Sequence, residues 1–207
     1  MERSLALVPT PSATVLGIVG SYRKGGHIDT AVSAILASAA TAGATTAKIY
    51  LQDQHIEFCT NCRQCLQAPG RSPCIHRDDM AALLDQIEAA DALVLGAPVN
   101  FGDVNALTRR FLERTVCYGY WPWEAPAPTQ QAQPVTKPAV LVTSSAAPAL
   151  LGRWATGAMK TLRRLATMLG AKPIRTLWLG MVNPKDSHLP PRYQRLSRRL
   201  GQRLARG

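Results

Sequence analysis

Three short, nearly continuous apolar runs constrain the fold most: TVLGIVG at residues 14–20, ALVLG at 92–96 and AVLVT at 139–143. Strands buried on both faces read this way, without polar alternation, and such strands belong to parallel sheets covered by helices on both sides. The segments between them carry helical spacing. Ile28, Ala31, Val32, Ile35, Leu36 and Ala39 recur three or four positions apart and predict a helix ending near Gly43. Met80, Leu83, Leu84 and Ile87 predict a second, capped by Asp78 or Asp79. A third has Leu107, Phe111 and Leu112 inward and Arg109, Arg110, Glu113 and Arg114 outward. Residues 46–51 (TAKIYL) alternate as a second strand, and 176–179 supply a fifth. One long helix is expected over 152–169, with Met159, Leu162, Ala166 and Leu169 on one side, and a basic helix over 190–206. Strand–helix alternation with right-handed crossovers gives an α/β fold: a doubly wound five-stranded parallel sheet of order 2-1-3-4-5. Its ligand crevice opens between the carboxyl ends of strands one and three. The 207 residues suffice for one such domain, 14–207, after a loose leader over 1–13.

Charge is divided unevenly. Residues 1–124 hold 10 Lys/Arg and 12 Asp/Glu, while 125–207 hold 14 Lys/Arg and one acid, Asp186. No nucleic-acid reader motif accompanies the basic half, so sequence-specific nucleic-acid binding is not expected, and the excess reads as attraction for anionic cofactors. No apolar run is long enough to span a bilayer, and no membrane partner is expected. Pro9 and Pro11 interrupt the apolar patch at the N-terminus, which argues against a signal peptide and for the cytoplasm.

Four of five cysteines, Cys59, Cys62, Cys65 and Cys74, fall in the loop 52–77 with spacing C-x2-C-x2-C-x8-C. Three thiols at two-residue intervals can converge on one face of a turn, and a fourth can close the set. Four thiolates are what an iron–sulfur cluster takes. Reduced unligated thiols, zinc or a disulfide are the other readings, although zinc more often uses two separated C-x2-C knuckles. His76 can replace one thiol.

The loop after strand one, Gly20-Ser21-Tyr22-Arg23-Lys24-Gly25-Gly26-His27, lacks both the Walker A pattern and G-x-G-x-x-G. It offers a hydroxyl, two cations, permissive glycines and a helix N-terminus, the components of a monophosphate site, with Ser21 and Thr30 as added donors. After strand three comes Ala97-Pro98-Val99-Asn100-Phe101-Gly102, where a proline-fixed backbone can face a flat ring edge and Phe101 can pack on it. The aromatic segment Tyr118-Gly119-Tyr120-Trp121-Pro122-Trp123 can serve as an interface, a lid or intramolecular packing.

GSYRKGG after strand one, C-x2-C-x2-C followed by C-x3-DDM, and GAPVNFG after strand three together resemble the flavodoxin-like NADPH-dependent FMN reductase family, in particular its iron–sulfur flavoprotein branch. The resemblance runs over about residues 14–180. It implies bound FMN with Ser21, Arg23, Lys24 and Thr30 at the phosphate, and Pro98, Val99, Asn100 and Phe101 along the ring with Ser144 and Ser145 nearby. Two departures stand out. His27 and an added Ile28-Asp29 precede Thr30 where Asn-Thr is usual, and Asn100 replaces a frequent aromatic. The implied activity is an FMN-dependent oxidoreductase using NAD(P)H or a protein donor to reduce flavin, quinone or a small acceptor, with a [4Fe–4S] cluster as a second centre. A homodimer or homotetramer and no catalytic acid or base are expected. The alternatives are a reductase of one specific small ring compound and a non-catalytic FMN- or metal-binding electron carrier.

Overall fold

In the computed structural model, which describes residues 12–130, 134–183, 185–186 and 188–206, the three apolar runs form the middle of a sheet. The elements are β1 (Thr14–Val19), α1 (His27–Thr41), β2 (Thr45–Tyr50), α2 (Met80–Ala89), β3 (Ala92–Asn100), β4 (Asp103–Val104), α3 (Ala106–Arg114), β5 (Gly119–Tyr120), β6 (Thr129–Gln130), β7 (Lys137–Ser145), α4 (Ala149–Ala155), α5 (Ala158–Met168), β8 (Ala171–Gly180) and α6 (Pro191–Leu204). Five parallel strands run in the order β2-β1-β3-β7-β8, the expected 2-1-3-4-5, and β4 folds back antiparallel on the end of β3. The fold is flavodoxin-like. Most of the segment expected as a leader, residues 1–11, lies outside the described residues.

Alternate residues of each central strand feed two cores, as the two-residue period of a strand requires. Leu16, Ile18, Leu93, Leu95 and Leu141 face α2, α3 and α5, together with Phe111 and Leu162. Val15, Val19, Val94, Val140 and Val142 face α1 and α6, with Ile35, Leu200 and Leu204. Contact between α1 and α6 is closest at Gly201. A Cβ there would sit 2.2 Å from the Ile35 carbonyl oxygen and 2.7 Å from Ser38 Cβ. Gly201→Ala is therefore expected to lower the unfolding midpoint, although alanine favours a helix over glycine by about 1 kcal/mol. Overpacking of about 1–3 kcal/mol outweighs that gain. A raised midpoint in thermal denaturation would show that α6 moves aside freely.

Three expectations change. The long helix over 152–169 is two helices, broken at Thr156 and Gly157, where the Gly157 amide instead donates to the Gly102 carbonyl at 2.7 Å. Strand five begins earlier, at Ala171. Arg114, expected outward, is buried beside Asp78. No helix among the described residues is long and apolar enough to cross a membrane.

Candidate functional site

At the carboxyl ends of β1, β3 and β7 lies a hollow of about 460 Å³. It is lined by Ser21 and Arg23, by His27 at the start of α1, by Pro98, Val99 and Asn100, by Asn105, and by Ser144 and Ser145. This is the crevice that the strand order dictates. The loop feeding it is held from below. Gly25 takes a left-handed backbone, φ +72°, with open space where a Cβ would stand. Its amide donates to Asp29 Oδ2 at 2.6 Å, and the same buried carboxylate accepts from Lys48 at 2.9 Å and from the Tyr50 hydroxyl. Burial pushes the Asp29 carboxyl up, but Lys48, the Gly25 amide and Tyr50 bring it below the usual carboxylate range. Asp29, one of the departures from the family pattern, thus keys the loop to β2.

The other wall is fixed by Asn105, the cap of α3. Its side chain accepts from the Thr108 amide at 3.1 Å and donates to the Gly20 carbonyl at 2.8 Å. His27 Nε2 donates to the Asn183 carbonyl at 3.0 Å, so the last loop closes over the start of α1. Neither Asn105 nor Asp29 was among the residues expected from sequence to serve the site. A helix cap signal, Asn followed three residues later by Thr, was available for the first.

Of the ten residues expected around a flavin, the structure brings seven to this hollow. Lys24 pairs with Asp53 at 2.6 Å and lies over the Tyr50 ring at 4.9 Å. Thr30 turns its hydroxyl to the Gly25 carbonyl at 3.3 Å. Phe101 sits in a left-handed turn, φ 47°, fully exposed. None of these three lines the hollow. Ser145 does, but its hydroxyl donates to the Ala147 carbonyl and accepts from Trp178 Nε1, both at 2.9 Å.

The cysteine loop forms a second site. Cys59, Cys62, Cys65 and Cys74 line one small hollow of about 20 Å³, together with Arg63, His76, Arg114 and Val116. All five cysteines are unbridged. Asn61 and Arg63 flank Cys62 in left-handed conformations, φ 53° and 60°. Such residues cost about 1–3 kcal/mol each and persist where the surroundings impose them. Here the aromatic segment does so. The Arg63 guanidinium stacks on Trp121 at 3.8 Å and Trp123 at 4.5 Å, and donates to the Trp121 and Pro122 carbonyls at 3.0 and 3.1 Å. The Trp121 amide donates to the Leu66 carbonyl at 2.8 Å. Of the three readings of that segment, intramolecular packing holds for Tyr118 and Trp121, while Trp123 stays exposed.

Burial, then the neighbouring Cys74, Cys59 and Cys62, raise the Cys65 thiol. Four thiols gathered on one hollow are a donor set that cationic iron would complete. Among the described residues no three His, Cys, Asp or Glu side chains are grouped to hold a metal ion, so this is not a ready single-ion zinc site. The residues present suit a cluster, whose several irons each take one thiolate. His76 Nε2 is buried without a partner at the rim of the same hollow.

One helix links the two sites. Asn105, at the start of α3, lines the larger hollow, and Arg114, at its end, lines the smaller. Nine residues at 1.5 Å rise place them about 14 Å apart.

The family model described as NADPH-dependent FMN reductase matches residues 13–184. An iron–sulfur flavoprotein of Archaeoglobus fulgidus is 34% identical over 107 residues, covering 52% of this chain and 47% of its own. One of Methanocaldococcus jannaschii is 35% identical over 101 residues, 49% and 51% respectively. The chain thus spans about half the length of the curated relatives it matches. Among solved structures, an NAD(P)H:quinone oxidoreductase from Methanothermobacter marburgensis superposes with a TM-score of 0.72 at 19% identity, covering 93% of this chain and 99% of that one. At that identity the likeness speaks for the fold.

Proposed function

The chain belongs to the NADPH-dependent FMN reductase family, and from that premise we propose that it is an FMN-dependent oxidoreductase. It takes electrons from NAD(P)H or a protein donor and passes them to flavin, quinone or another small acceptor. The observation that carries this reading is the hollow at the carboxyl ends of β1, β3 and β7, where a Ser- and Arg-bearing loop and the N-terminus of α1 meet the Pro98–Asn100 backbone. We assign Ser21 and Arg23 to the FMN phosphate, with Lys24 and Thr30 supporting that loop from outside the hollow. Pro98, Val99, Asn100 and Ser144 line the ring, Ser145 braces that wall, and Phe101 stands at the mouth. Cys59, Cys62, Cys65 and Cys74 would hold a [4Fe–4S] cluster, the group suggested by the relatives' names.

When bound, FMN supplies two-electron chemistry and a cluster one-electron steps. The protein's part is to bind, orient and shield. Unbridged thiols suit a cytoplasmic setting. The exposed Phe101, Leu150, Leu151, Trp154 and Met181 suit a homodimer or homotetramer.

Arg23→Ala tests the phosphate assignment. A charge-assisted hydrogen bond contributes about 1.5–3 kcal/mol. FMN affinity should therefore fall by at least about tenfold while riboflavin affinity stays put. Equal losses for both ligands in fluorescence titrations would refute the assignment. Turnover of NAD(P)H with quinone or ferricyanide separates an enzyme from a passive carrier.

A further inference from the structure

We propose that Arg114 is a positioning residue that sets the electron affinity of the cysteine site, by holding a buried cation beside Cys74. The inference rests on the cluster reading above and deepens it. Arg114 ends α3 with its side chain only 2% exposed. One arm of its guanidinium donates to the Glu57 carbonyl at 2.8 Å, and both arms reach Asp78, Nη2 to Oδ1 at 3.1 Å. The Cys74 thiol lies near enough for its charge to act on the guanidinium. Arg114 and Cys74 together line both the small hollow and a second cavity of about 320 Å³. Cys74 is the thiol set apart by eight residues from the C-x2-C-x2-C run. It is the thiol beside which Arg114 is braced.

The brace is rigid. Asp78 also accepts from the Glu57 amide at 2.8 Å and the Met80 amide at 3.1 Å. The guanidinium is thus held on two sides before it meets sulfur. Hydrogen bonds to the sulfurs and local charge set a cluster's potential. A fixed cation beside one thiolate favours the reduced, more negative state.

The experiment is an anaerobic redox titration of the reconstituted full chain, followed by EPR and visible absorbance, comparing wild type with Arg114→Gln. At any fixed potential the variant's reduced-to-oxidised ratio should fall about tenfold, a midpoint lower by about 59 mV for one electron. FMN occupancy and iron content should remain at wild-type levels. If Arg114→Gln fails to fold, the paired Arg114→Gln/Asp78→Asn protein, which removes both buried charges, carries the test, and its midpoint should also lie below wild type. A purely structural role would change the unfolding midpoint or iron content and leave the potential alone. An unchanged midpoint in an iron-loaded variant overturns the inference. Wild type that takes up no iron overturns the cluster reading itself, and the inference with it.

Discussion

Asp78→Asn is expected to cost the fold about 3–5 kcal/mol, the usual consequence of leaving a buried partner charge unmatched. The carboxylate and the Arg114 guanidinium are 1% and 2% exposed, so their partners are almost wholly the protein's own. Burial alone pushes the Asp78 carboxyl up, but bonds from Arg114 and from the Glu57 and Met80 amides outweigh it and bring it down to about 2. Set against its ordinary value of 3.8, that depression contributes about 2 kcal/mol. The contribution is fully present above the unfolded value. It is lost as pH falls from about 4 through about 2, where the native carboxylate also protonates. Urea melts of wild type should therefore weaken across that acid range, and Asp78→Asn should be weaker at neutral pH with a flatter acid limb. Identical urea midpoints at pH 7 would mean that the pair is solvated. The Arg114→Gln/Asp78→Asn protein should recover much of the loss, because a buried pair costs desolvation that its joint removal returns.

Cys62→Ser should lower iron per chain by more than about tenfold after anaerobic reconstitution. Changes one shell further out already cost 10–100-fold at metal sites. Serine keeps the shape of the loop but offers no thiolate at neutral pH. The larger hollow lies at the other end of α3, so FMN binding should persist. Iron analysis and the broad visible absorbance check the first claim, and cofactor extraction checks the second. Full iron retention in Cys62→Ser would remove Cys62 from the ligand set.

The sheet was legible because its three inner strands are buried on both faces and so carry little but apolar side chains. The edge strand β8 was read short. Lys172, Pro173 and Arg175 lie in its first half, where the exposed edge tolerates polar residues and interrupts the apolar signal. The break between α4 and α5 was illegible because apolar recurrence continues across Gly157, and only the distant Gly102 carbonyl explains why its amide leaves the helix. At the candidate site, loop position after β1, β3 and β7 pointed to seven residues that line the larger hollow. The hidden residues were those whose partners are remote in sequence. Arg114 carries a surface residue's chemistry and finds its carboxylate 36 positions upstream. Arg63 looked like ordinary loop charge until Trp121, 58 positions on, came to lie beneath it.

The packing of α6 on α1 also bears on when this protein can acquire its cofactor. Ser38 donates to the Arg198 carbonyl across 160 positions, and His27 to the Asn183 carbonyl across 156. The first helix therefore lacks its outer cover until residues 191–204 have left the ribosome. Domains with such long-range closure complete late. A nascent chain has β1 and its loop early but no finished pocket, so cofactor capture follows the synthesis of β7 and the loop at Val182, and a chain stalled before α6 leaves the α1 face of Ile35 and Leu36 open to other hydrophobic surfaces.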